Sequence, residues 1–120
     1  MDDINLRPIT WLGSSLDDLK ELPKSVQREI GFSLHQIQEG KTPSHVKPLK
    51  GMGSGILEII SDYNKNTYRA VYAVKIGDDI CVLHVFQKKS KHGIETPKKE
   101  MDLIKQRLAI AKADIKRHRR

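Results

Sequence analysis

An α+β fold, with an antiparallel β-sheet carrying an N-terminal helical hairpin on one side and a C-terminal helix, is what this sequence predicts, and three patterns predict it. Near the start, Val26, Ile30, Leu34 and Ile37 recur at four, four and three, the spacing of one helical stripe. In the middle, three apolar runs are separated by short polar turns, the signature of a meander. Near the end, Met101, Ile104, Leu108, Ala111 and Ile115 repeat at three and four over what reads as a long amphipathic helix. At 120 residues this is a single domain, 1–120, with room for one core.

Each element has its own local reason. Leu6 to Leu12 is rich in Ile, Leu, Thr and Trp and predicts a first strand, and Pro8, which cannot donate to a ladder, puts it at an edge or a bulge. Gly13 ends it, and Ser14 or Ser15 caps a short helix running to about Leu22, with Leu16 and Leu19 facing inward. Pro23 fits the first turn of a second helix, which Gly40 stops. Lys41 to Gly55, with its glycines, prolines and lysines, reads as a charged loop. Ile56 to Ser61 predicts a strand that turns at Asp62 to Asn66. Thr67 to Lys75 alternates, placing Tyr68, Ala70, Tyr72 and Val74 on one face and Arg69, Val71 and Ala73 on the other. After a turn at Gly77-Asp78-Asp79, Ile80 to Gln87 is the most apolar run and is predicted to be the central strand. Thr96 and Pro97 open the last helix.

Charge narrows the class of partner. Lysine and arginine number 22 against 15 acidic residues, a net charge of +7, which favours anionic partners such as RNA, DNA or acidic proteins. The single cysteine, Cys81, excludes an internal disulfide and a cysteine-based metal site and fits a reducing compartment. The five histidines show no metal-ligand spacing, so no metal and no cofactor is expected. No apolar run resembles a leader or a membrane span, and a cytoplasmic protein is expected.

The densest chemistry follows the third apolar run. From His84 to Pro97 the chain turns from strand into a basic lip holding Lys88, Lys89, Lys91 and His92, a cluster suited to phosphate. Lys47 and Lys50 add charge in the preceding loop, and Lys105, Arg107, Lys112, Lys116, Arg117, Arg119 and Arg120 make the outer face and end of the last helix basic. A solvated surface and a dipole-matched helix end explain much of this charge without any ligand. Arg69 can pair with Glu58 across two strands. His84, alternating with Val82 and Phe86, reads as a satisfied core histidine before a catalytic one.

The order of elements and five ordered segments resemble the RelE and ParE superfamily of toxins from type II toxin–antitoxin systems, and within it the phage-derived HigB-like branch. The segments are Pro-Ile-Thr-Trp-Leu-Gly-Ser-Ser at 8–15, Lys-Pro-Leu-Lys-Gly at 47–51, Leu-Glu-Ile at 57–59, Tyr-Arg-Ala-Val-Tyr at 68–72 and Leu-His-Val-Phe-Gln-Lys-Lys-Ser-Lys at 83–91. The resemblance implies a RelE-like fold and a toxin that acts as a metal-independent endoribonuclease on mRNA, ribosome-dependent in the usual case. It also implies a co-encoded antitoxin, a helix-turn-helix protein in HigB-like systems. Arg69 matches the strand arginine that supports the scissile phosphate in RelE-like toxins, and Lys88 and Lys89 match the basic pair ending the last strand. This chain has Glu58 and Ile60 where RelE carries strand lysines, and Glu95 where RelE carries a catalytic tyrosine.

Metal-free RNA cleavage needs a base for the attacking 2′-hydroxyl, an acid for the leaving oxygen and positive charge on the phosphorane. The expected catalytic set is Arg69, Lys88, Lys89 and His92, and Lys47, Lys50, Lys91, Arg117, Arg119 and Arg120 are expected to bind RNA. Glu58 and His84 stand as acid, base or orienting groups. Crowded lysines favour the neutral form of one of their number, a possible base near neutral pH. A ParE-like toxin that binds and inhibits DNA gyrase without cleaving anything is the alternative, and a toxin reduced to binding is a third.

Overall fold

The computed structural model describes residues 6–89 and 96–118, with side chains to residue 114. In chain order the elements are β1 (Ile9–Trp11), α1 (Ser15–Lys20), α2 (Lys24–Gln38), β2 (Val46–Pro48), β3 (Ile56–Tyr63), β4 (Asn66–Ile76), β5 (Asp79–Lys88) and α3 (Lys98–His118). The five strands form one sheet in the order β1-β5-β4-β3-β2.

The meander of β3, β4 and β5 is antiparallel, as its short turns require. Asn64 and Lys65 close the first turn at positive φ, 53° and 68°, the backbone twist that matches two-residue hairpins. Three expectations are corrected. The sheet is mixed, because β1 runs parallel to β5, pairing Ile9 with Ile80 and Trp11 with Val82. β4 is the central strand, since β5 lies between β4 and the short β1. The loop from Lys41 to Gly55 contains a strand, β2, which pairs with β3 through Val46 opposite Ile59 and Lys47 opposite Glu58. Both β1 and β2 are three-residue edge strands, and each is bordered or ended by the proline that suits an edge.

Arg7 fastens the N-terminal edge. Its Nη2 donates to the Val74 carbonyl at 2.7 Å and its Nε to the Asp78 carbonyl at 2.9 Å, so one guanidinium spans the end of β4 and the turn into β5. Gln38 at the end of α2 donates to the Arg7 carbonyl at 2.7 Å, which ties the same strand entry to the helix layer.

Strand alternation then sends two apolar sets to opposite faces. Ile59, Tyr68, Ala70, Tyr72, Val82 and Val85 meet Val26, Ile30, Leu34 and Ile37 of α2, together with Leu19 of α1. Val71, Ala73, Cys81, Leu83 and Phe86 meet Ile104, Leu108 and Ala111 of α3. The two N-terminal helices make their principal contacts with the sheet, α1 with β5 and α2 with β3, and not with one another. They are separately docked helices, which differs from the self-packed hairpin that their adjacency predicts. Pro23 precedes α2 instead of occupying its first turn, and Gly40 follows it with φ 85°, the left-handed conformation that ends a helix at little cost to glycine.

Candidate functional site

The α3 side of the sheet carries nearly all the described candidate residues, and register explains why. Lys47 lies opposite Glu58, and Glu58 lies opposite Val71, so the three side chains share one face. One step along, Ile60 pairs with Arg69 and Arg69 with Phe86. A further step pairs Asp62 with Thr67 and Thr67 with Lys88. Side chains on directly paired residues project the same way. Lys47, Glu58, Arg69, His84 and Lys88 are thus brought to one face, the face over which the first turns of α3 run.

At its centre is a buried ion pair. Arg69 donates from Nη1 to Oε1 of Glu58 at 2.7 Å, with the two residues 6% and 3% exposed. The cross-strand pairing that the sequence allowed is thus present, and one arm of the Arg69 fork is engaged with Glu58, because two charges buried side by side satisfy one another. Arg69 Nε is also buried and has no hydrogen-bond partner. A charged donor without an acceptor in the interior is costly, so this nitrogen is the group at the site most in need of an anion or a polar ligand.

Above the ion pair opens a cavity of about 410 Å³. Leu49 and Met101 give it apolar walls, Lys47 and Lys50 border it, and Glu58 and Thr96 contribute its polar lining. Gly51, at φ 85°, turns the chain around its rim. The Thr96 hydroxyl is buried and unpartnered. Lys47 and Lys50 were expected to bind RNA as loop charges; in the structure β2 fixes the first opposite Glu58 and the cavity joins it to the second.

His84 belongs to a second network on the same face. Its Nε2 lies 2.7 Å from Oε1 of Glu100, and Arg107 Nη1 lies 3.4 Å from its Nδ1. A guanidinium only donates, so Nδ1 accepts from Arg107 and Nε2 donates to Glu100. The ring stacks on Phe86 with centroids 4.7 Å apart. His84 is thus a buried histidine with both nitrogens engaged, as the alternation suggested, and it anchors the first turn of α3 to β5.

Arg107 is a correction to the picture of a basic outer face. It is 9% exposed and reaches inward, donating to the Leu83 carbonyl at 3.0 Å and the Ser14 hydroxyl at 3.0 Å. The signal was in the spacing, since 107 lies three residues after Ile104 and four before Ala111, squarely on the buried stripe. Glu100, Thr96 and Met101 were likewise not singled out as site residues, although each falls in the first turn of α3 or just before it.

Lys88 is half-buried at the end of β5, and Lys89 just past it is exposed. Lys91, His92, Arg119 and Arg120 lie outside the described residues, as does the side chain of Arg117. Burial raises the Cys81 thiol, with the nearby Asp79 carboxylate adding to the rise and Arg7 opposing it, so Cys81 is a core residue and not a nucleophile. Among the described residues no three His, Cys, Asp or Glu side chains stand where they could hold a metal ion, and no helix is long and apolar enough to cross a membrane.

These features define an α+β protein whose mixed five-stranded sheet buries apolar side chains on both faces and holds a cavity and a buried, paired arginine on the α3 side. Residues 17–109 match the family described as phage-derived protein Gp49-like (DUF891), and the chain belongs to that family, one associated with RelE-like toxins of toxin–antitoxin systems. A search of the curated proteins finds no match to the chain.

Proposed function

We propose that this protein is the toxin of a type II toxin–antitoxin system, a RelE-like, metal-independent endoribonuclease that cleaves mRNA, in the usual case on the ribosome, and is silenced by a helix-turn-helix antitoxin. The observation that carries the reading is the convergence on one sheet face of Lys47, Arg69 and Lys88, with Lys50 beside the same cavity, in a family associated with such toxins. Charge gathered at one place is what stabilisation of a phosphorane needs, because each preorganised donor acts where charge develops.

Within this reading the lysines neutralise the phosphate oxygens. Arg69 is held by Glu58, so Glu58 acts as its orienting carboxylate and the guanidinium adds positive charge behind the lysines. His84 is committed to Glu100 and Arg107, which makes it a positioning residue for α3 and leaves proton transfer to the lysines of the lip and to His92. Net charge of +7 favours both RNA and an acidic antitoxin surface.

One observation favours a second reading, the ParE-like toxin that binds gyrase without cutting nucleic acid: the arginine most expected to grip phosphate is tied up in a buried pair. Brief induction of the chain in cells separates the two. The nuclease reading expects growth arrest with new 5′ ends in translated messages, relieved by co-expression of the protein encoded beside it. Arrest with intact messages and loss of DNA supercoiling would replace it with the gyrase reading.

A further inference from the structure

The cavity beside Glu58 combines a pair of cations, which suits phosphate, with two features that a site for bare phosphate does not need. Its walls are apolar at Leu49 and Met101, its polar lining is a carboxylate and a threonine hydroxyl that has no partner, and its two cations, Lys47 and Lys50, lie together on the β2 side. At about 410 Å³ it is within the size range of small-ligand pockets. Lysines attract an anionic group, apolar walls accept a flat ring, and a carboxylate accepts hydrogens from the ring's edge while repelling a ring edge that offers lone pairs. A nucleotide has all the matching parts, with phosphate at one end and a base at the other.

We propose that this cavity is a nucleotide subsite that selects a base by its Watson–Crick edge, taking guanine best and uracil worst. Guanine presents two adjacent donors, N1–H and N2–H, to one carboxylate, whereas uracil flanks its single N3–H with two carbonyl oxygens. Glu58 is suited to the task because Arg69 fixes it in orientation, and a fixed acceptor discriminates more sharply than a mobile one. The Thr96 hydroxyl, buried without a partner, meets a polar edge atom once the base is in place. The proposal deepens the RNA reading and rests on it for the choice of a nucleotide as occupant.

Met101 supplies the probe. Its methyl carbon lies 3.9 Å from where a side chain on Gly51 would begin, so it belongs to the cavity wall, while Met52, packed against the same core, lines a different pocket. The full chain, labelled with carbon-13 at its methionine methyls, is titrated with the four nucleoside 5′-monophosphates and with inorganic phosphate at one ionic strength. GMP is expected to shift the Met101 signal and spare Met52, with an affinity about tenfold above that for UMP. Thr96→Val, which keeps the shape and removes the hydroxyl, weakens GMP binding, and Glu58→Gln, which still accepts from Arg69, narrows the preference for GMP over UMP. Equal response to all four nucleotides, a Met101 shift from phosphate alone, or no Met101 shift at all would each overturn the subsite. RNA cleavage measured alongside separates the two ideas. Cleavage without base preference by a chain whose Met101 is silent removes the subsite and keeps the nuclease, whereas GMP-selective binding by a chain that leaves all RNA intact keeps the subsite and removes the nuclease.

Discussion

The face of the sheet under α2 and the face under α3 are built from the same strands, yet they bury different chemistry. Under α2 the cluster runs from Val26 and Ile30 on the helix to Ile59, Ala70 and Val82 on the strands, and the buried polar groups beside it are the hydroxyls of Ser33 and Ser61, the latter bonded to Glu29. Under α3 the apolar set is interrupted by Glu58, Arg69, His84 and Arg107, all buried and all paired. An apolar face is held by area and tolerates small repacking, while a face with buried ions stays folded only if each ion keeps its partner. The difference teaches where to look for function, because a chain that needed stability alone would gain as much or more from aliphatic residues at those positions.

Breaking the ion pair should produce the largest effect. Arg69→Ala leaves Glu58 buried without a partner and is expected to lower stability by about 3–5 kcal/mol in urea melts. Replacing both residues, Arg69→Met with Glu58→Leu, should restore most of that stability, seen as a recovered urea midpoint. On the opposite face Ile59→Ala is expected to cost about 2–5 kcal/mol through a cavity that no change of charge repairs. A double variant no more stable than Arg69→Ala would contradict the distinction between the faces.

Alkali should attack the apolar face next. Burial pushes the Tyr72 phenol from 10.0 up to about 12, so the folded state favours its neutral form. A folded pKa above the unfolded one means that this contribution is whole below pH 10 and is lost as the pH climbs through about 12. The rise corresponds to a contribution on the order of 2–3 kcal/mol at most. Tyr72→Phe should flatten the fall in stability across that window, and an unchanged profile would show that another group governs it.

Arg107→Met should then cost about 2 kcal/mol, since it forfeits charge-assisted bonds to the Leu83 carbonyl and Ser14 while keeping a side chain of similar length. The smallest structural effect is expected at the lip. Lys89 is exposed, so Lys89→Gln should change stability by less than about 0.5 kcal/mol, seen as an unmoved denaturation midpoint. Its RNA cleavage should nonetheless fall, by up to about a hundredfold if the ammonium faces the transition state. Wild-type cleavage by this variant would confine the site to the Lys47, Lys50 and Arg69 end of the face.

Local signals were easy to read in the sequence, and long-range ones were not. The α2 stripe, the alternation along β4 and the turns at Asn64 and Gly77 depend on residues within a few positions of each other, and all are present. The parallel pairing of β1 with β5 depends on partners far apart in the sequence, Ile9 with Ile80 and Trp11 with Val82, which no local pattern encodes. β2 was hidden because three residues among prolines and glycines carry too little pattern to outweigh a loop. At the site, the possible pairing of Arg69 with Glu58 followed from facing strands, and the enclosed His84 followed from alternation. The inward turn of Arg107 was legible in its spacing but outweighed by its charge, which ordinarily means solvent. Thr96 and Met101 reach the cavity only because α3 packs back across the sheet.

The parallel ladder between β1 and β5 also sets a schedule for the chain as it is made. At about 5–20 residues per second, β1 emerges several seconds before the strand that will hold it, while the β3–β4–β5 hairpins zip within microseconds of being exposed. Until β5 is available, the Arg7 guanidinium has no Asp78 carbonyl to receive it, Ser15 has no Val82 carbonyl, and α1 has no strand to lie on. Closing so distant a contact is the slow step expected of a sheet with non-local pairing. A nascent chain that has not reached β5 therefore lacks its N-terminal edge, and the synthesis of the first turn of α3, which brings Met101, is also the step that walls the cavity.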